Sequence, residues 1–163
     1  MNPDNLMSQL MPKIDVGFEG CGSQKDFYRR CFREVAPAIS PMYKEISNRT
    51  GNNLPTHLKF IYSIGSLKSD PQDYTAAVLT NPRPNVYEVT FNENNPTTLE
   101  LYKSSGTVLH EFGHGISMSK GLPHTEAENE RLTRDSAYKA GKHEIAKVID
   151  SNSKFIGKLP YIV

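Results

Sequence analysis

Apolar positions in the first third of the chain recur at three- and four-residue spacing: Phe27, Cys31 and Val35 make one stripe, Met42 and Ile46 another. Ser23 is a good helix N-cap and, with Asp26 three residues on, predicts a helix through Val35. Ser40 followed by Pro41 predicts the start of a second helix ending near Gly51. The period then changes. Residues 58–64, 74–79 and 85–91 are rich in β-branched and aromatic side chains and bounded by Pro, Gly, Asn and Asp, which predicts three strands. In the third, Val86, Glu88 and Thr90 alternate with Tyr87, Val89 and Phe91. Beyond Pro96 the helical period returns. Thr97 with Glu100 predicts a capping box for a helix to about Ser119, closed by Gly121 and Pro123. Thr125 with Glu128 predicts a second box and a helix to about Lys139, and a shorter helix is expected over 143–149. Residues 1–22, with Pro3, Pro12, Gly17, Gly20 and Gly22, read as a loose lead-in. Residues 23–163 then form one α+β domain.

Composition narrows the function without choosing it. The chain has 163 residues, 37% of them hydrophobic and 23% charged, as expected for a single globular domain with its own core. Nineteen basic against 18 acidic residues leave a net charge of +1, so there is no general electrostatic reason to expect nucleic acid or an anionic membrane as partner. The apolar runs are too short to span a bilayer. The first 13 residues lack a basic segment followed by an apolar run, so no secretory signal is visible. A cytoplasmic monomer, or one delivered by a specialised secretion system, is the expectation. Cys21 and Cys31 belong to no CxxC pair, which excludes a cysteine-based zinc finger, and are expected as free thiols.

The chemistry is concentrated in one segment. Val108-Leu109-His110-Glu111-Phe112-Gly113-His114 contains HExxH, and two histidines four apart share one helix face, so both imidazoles can reach a single ion. Glu111 lies beside them as a general base for a water molecule. Leu109, Phe112 and Ile116 recur at three and four and anchor the opposite face. Gly113 and Gly115 each cost about 1 kcal/mol relative to Ala inside a helix, which predicts a need for space beside His114.

A catalytic zinc has three protein ligands and one open position. Ser117 and Lys120 stand where the longer HExxHxxGxxH pattern needs Gly and His, so the third ligand must come from elsewhere. The following helix offers Glu126, Glu128 and Glu130. Glu128 shares a face with Leu132 and Asp135, and that geometry selects it, with Glu126, Glu130, His124 and Asp135 left open. For the oxyanion of a peptide-bond hydrolysis, Tyr138, His124 and His143 are candidates, with Tyr138 first.

Residues 107–141 resemble the gluzincin-type zinc peptidases, in which a helix bearing a glutamate ligand follows HExxH. They are most similar to the short zinc-peptidase effectors and toxins of bacteria, through His110-Glu111-Phe112-Gly113-His114, Gly121 and Glu128-Asn129. Leu132 stands where that group commonly has arginine, with Arg131 and Arg134 on either side. Glu126 to Asn129 also resembles the anti-repressor peptidases of bacterial mobile elements, without their following aromatic-alanine stretch. The resemblance implies a zincin-like fold, a small mixed sheet packed on the HExxH helix, and Zn2+-dependent cleavage of a protein or peptide. A catalytically inactive zincin-like module that binds metal or a partner is the alternative, although such a module has no use for Glu111. Strand 85–91, just ahead of the HExxH helix, has two readings: the sheet edge that receives an extended substrate, with Pro82 and Pro84 favouring an extended entry, or an ordinary interior strand after a proline-rich turn.

Overall fold

The computed structural model describes residues 13–50, 57–66, 76–95 and 100–156. It is a mixed α+β fold in which a four-stranded sheet carries four helices. Strand β1 (Lys13–Gly20) leads through a short 3-10 turn (Gly22–Gln24) into helix α1 (Lys25–Thr50). Strands β2 (His57–Gly65), β3 (Ala77–Arg83) and β4 (Val86–Asn92) follow, then helices α2 (Leu101–Ser119), α3 (Glu126–Lys139) and α4 (His143–Ile156). The sheet order is β1-β2-β4-β3. β1 and β4 both run parallel to β2, and β3 pairs antiparallel with β4. The β1–α1–β2 connection is the long helical crossover that parallel neighbours require.

Parallel register aligns the pleats of the two central strands. Phe60 faces Tyr87 and Tyr62 faces Val89, so Leu58, Phe60 and Tyr62 share a buried face with Tyr87, Val89 and Phe91. Helices pack on that face. Tyr28 of α1 stacks on Phe91 with ring centroids 4.1 Å apart, and Phe112 of α2 lies 4.3 Å from Phe60. This aromatic layer fixes the height and rotation of α2 above the sheet.

Two sequence expectations change here and one open choice is settled. The lead-in contains an element: residues 13–20 form β1, an outer strand whose glycines hid it from a propensity reading. The two helices expected before residue 51 are one. Pro37 and Pro41 lie inside α1, and each removes a helix hydrogen bond at about 3 kcal/mol. An unbroken buried stripe of Tyr28, Cys31, Val35, Ile39, Met42 and Ile46 outweighs that, at about 1.5–3 kcal/mol per large side chain. Finally, of the two readings of strand 85–91 the interior one holds: β4 is paired on both sides, and β3 is the edge. Strand 85–91 therefore cannot receive a substrate strand. Pro82, with no N–H to give, sits on the edge strand at a break in the β3–β4 register. Asn81 spans that break, donating to the carbonyls of Arg83 and Val86 at 2.7 Å each.

The helices expected to about Ser119 and Lys139 end there, but the strand expected at 74–79 is β3, which runs on to Arg83, and the helix expected over 143–149 continues to Ile156; residues 74, 75 and Thr97 lie outside those described. The N-cap of α2 is Glu100, without a side-chain cap bond. Cys21 and Cys31 are free thiols in the core, each pushed up to about 11 by burial. Among the described residues no helix is long and apolar enough to cross a membrane.

Candidate metal centre

Helix α2 divides its two faces between two tasks. Leu109, Phe112 and Ile116 are fully buried in the core, Phe112 against Phe60 and Tyr62 of the sheet. His110 and His114, one turn apart, face α3 instead. The glycines on either side of His114 provide space, as expected, and their neighbours are side chains of the protein itself. A Cβ at Gly113 would collide with Asn129 Oδ1 and come within 2.8 Å of Thr133 Cγ2; one at Gly115 would lie 2.6 Å from the Phe60 ring.

Helix α3 is positioned by its first residue. Thr125 is the N-cap and accepts a 3.1 Å hydrogen bond from the backbone N–H of Glu128. Opening the helix there turns Glu126, Asn129, Glu130 and Thr133 toward α2, at the i, i+3, i+4 and i+7 positions of one stripe. The carboxylate of Glu126 then bridges both histidines: Oε1 is 2.5 Å from His110 Nε2, and Oε2 is 2.8 Å from His114 Nε2. The two Nε2 atoms are themselves 3.0 Å apart. Behind this cluster, His110 Nδ1 lies 3.1 Å from Glu130 Oε1, and Asn129 Nδ2 donates to the His110 carbonyl at 3.0 Å. His114 Nδ1 lies 2.7 Å from His124 Nε2.

The third member of the cluster is thus Glu126, and the expected Glu128 lies outside it. Glu128 is exposed, with its backbone and carboxylate both engaged with Thr125 at the helix start. The face that seemed to join Glu128, Leu132 and Asp135 does not point inward as a unit, since Asp135 is exposed and paired with Arg134. Tyr138 is corrected too. It is 42% exposed, its ring lies against His143 at 5.6 Å, and it stands twelve positions from Glu126, about 18 Å along the helix. Neither Tyr138 nor His143 belongs to the site. Glu130 and His124, considered earlier as ligands, approach the histidines from behind, at Nδ1. Sequence reasoning missed Asn129. The available signal was Gly113 together with the small or polar run Asn129, Thr133, Ser136 and Ala137, which marks a close helix–helix seam.

Charge is crowded in this seam. Glu111 is 6% exposed; burial, reinforced by Glu126 and Glu130 and opposed by His110, raises its carboxyl to about 7. Burial works against charging His110, but its bonds to Glu126 and Glu130 outweigh that and hold its pKa well above the ordinary value. For Glu126 burial acts upward and the two histidines act more strongly downward, leaving it below the usual carboxylate range. Oε2 of Glu130 and Oδ1 of Asn129 are buried without hydrogen-bond partners.

No protein-family model, curated protein or solved structure matches the chain. What the site can do must therefore be read from its atoms. Among the described residues, His110, His114 and Glu126 are the group whose ligand atoms lie within 4.8 Å of one another, close enough to hold a metal ion. Two imidazoles and a carboxylate suit a borderline cation of the zinc type. Donors on a tetrahedral ion at 2.0–2.1 Å sit about 3.3 Å apart, near the spacings found here.

Proposed function

We propose that the chain is a zinc-dependent endopeptidase of the gluzincin type, with a zincin-like arrangement of sheet, HExxH helix and ligand helix. The observation that carries the reading is the Glu126 carboxylate meeting Nε2 of both His110 and His114. Three protein donors on two successive helices leave a fourth position open, the pattern of a catalytic rather than a structural zinc. When bound there, zinc supplies Lewis acidity, making water a nucleophile near neutral pH and polarising the scissile carbonyl.

The remaining work falls to the chain. Glu111, next to His110 on α2, takes a proton from the attacking water and returns it to the leaving amine. Its burial keeps competing solvent away from that proton. Glu130 and Asn129 hold the His110 ring and backbone, so the ligand does not have to be ordered when metal arrives. The resemblance to short bacterial effector and toxin peptidases agrees with this reading, and makes a single protein target of a recipient cell the substrate class to test.

The test is zinc content and peptide cleavage by wild type, His114→Ala, Glu126→Ala and Glu111→Ala. The expectation is about one zinc per wild-type chain, lost in the first two variants and kept in an inactive Glu111→Ala. A folded wild type that takes no zinc would reject the reading. Zinc without cleavage of any peptide or candidate protein would reject the peptidase and leave a metal-binding module.

A further inference from the structure

We infer that His124 is a positioning residue for His114, and that the backbone carbonyl of Leu122 sets the tautomer of both rings. The inference rests on the metal reading above and adds a residue to it. A carbonyl oxygen can only accept, so the 3.1 Å contact between His124 Nδ1 and Leu122 O requires the proton of a neutral His124 to sit on Nδ1. Nε2 of His124 is then an acceptor. It lies 2.7 Å from His114 Nδ1, which must therefore carry the proton of that ring. The lone pair of His114 is left on Nε2, the atom that faces Glu126 and His110. Two links, from carbonyl to imidazole to imidazole, thus present the ligand nitrogen toward the centre.

The local fold brings the two rings together. Helix α2 ends with Gly121 at φ +66, a left-handed conformation that suits glycine, while Gly121 and Leu122 donate back to the carbonyls of Met118 and Ser117. This reversal returns the chain along α2 so that His124, ten residues after His114, reaches its ring. Pro123 and the cap at Thr125 hold His124 on both sides. The two histidines are consequently supported by different chemistry: a carboxylate, Glu130, behind His110 and an imidazole, His124, behind His114.

The test begins with wild-type protein carrying 15N-labelled histidine and loaded with zinc. The expected result is a through-hydrogen-bond coupling between His114 Nδ1 and His124 Nε2, with the His124 proton on Nδ1. A His124 proton on Nε2, or no coupling, overturns the inference. Zinc affinity, measured by chelator competition, is expected to fall about 10–100-fold in His124→Ala with one site still filled, and to recover in part in His124→Gln, whose amide oxygen can accept from Nδ1. Unchanged affinity in a folded His124→Ala overturns the inference while the metal site stands. Loss of zinc binding altogether also overturns it, because that is the behaviour of a ligand. A wild type that takes no zinc removes the metal reading itself and this inference with it.

Discussion

The two faces of α2 differ in what holds them. Toward the sheet, Phe112 is surrounded by Phe32, Phe60 and Tyr62, with ring centroids 5.7, 4.3 and 6.0 Å away. Toward α3, His110 and His114 meet Glu126, Asn129 and Glu130 through named atoms at hydrogen-bond distance, and the missing side chain of Gly113 leaves room for Asn129 and Thr133. The first face is specified by volume, the second by donors and acceptors. A volume can be filled in several ways, whereas a donor needs its one acceptor. The apolar face therefore supplies the stability and the polar face spends some of it.

That contrast can be broken from either side. The largest effect is expected from Phe112→Ala, a loss of about 3–5 kcal/mol in denaturant unfolding, because the ring is fully buried among three others. Next comes Glu111→Gln. A carboxyl raised to about 7 when folded, against 4.5 as the ordinary value, binds its proton more tightly in the native state. Stability from this group is present below pH 4.5 and is lost as pH rises through 7. The metal-free wild type should thus lose on the order of 3 kcal/mol relative to Glu111→Gln between pH 4 and 8, at about 1.4 kcal/mol per unit. A difference that does not vary with pH would mean that Glu111 is not desolvated.

Smaller effects sharpen the comparison. Gly113→Ala gains helix propensity but overlaps Asn129 and Thr133, and a net loss of about 1–2 kcal/mol is expected. The same variant should bind zinc more weakly, since Asn129 can no longer hold the His110 carbonyl. Glu128→Ala, removing an exposed acid at the helix start, should cost no more than about 0.5–1 kcal/mol and leave zinc affinity unchanged. Loss of zinc in that variant would restore Glu128 as a ligand and reject Glu126.

How much was legible follows the same division. Volume leaves a periodic trace, so the α2 face of Leu109, Phe112 and Ile116, the strand over Tyr87, Val89 and Phe91, and the α+β class could be read from spacing. HExxH is visible because a helix must place its two histidines four apart. The choice between Glu126 and Glu128 was hidden because it depends on the rotation of α3, and that rotation comes from packing against Gly113. Both acids look alike in the first turn of a capped helix, where either serves the dipole. β1 was hidden because Gly17 and Gly20 lower its strand propensity, while pairing with β2 supplies what propensity lacks. The single long α1 was hidden because prolines signal a break more strongly than a buried stripe signals continuity.

The breaks in register at the two outer strands bear on association. β1 loses step with β2 between Gly17 and Gly20, and β3 loses step with β4 between Thr80 and Arg83. Among the described residues, each shift shortens the regular part of its outer strand, leaving 13–17 on one side and 77–80 on the other as the stretches in step with their neighbours. Short regular stretches of this kind give a neighbouring strand little to pair with, a built-in brake on edge-to-edge stacking of the described sheet.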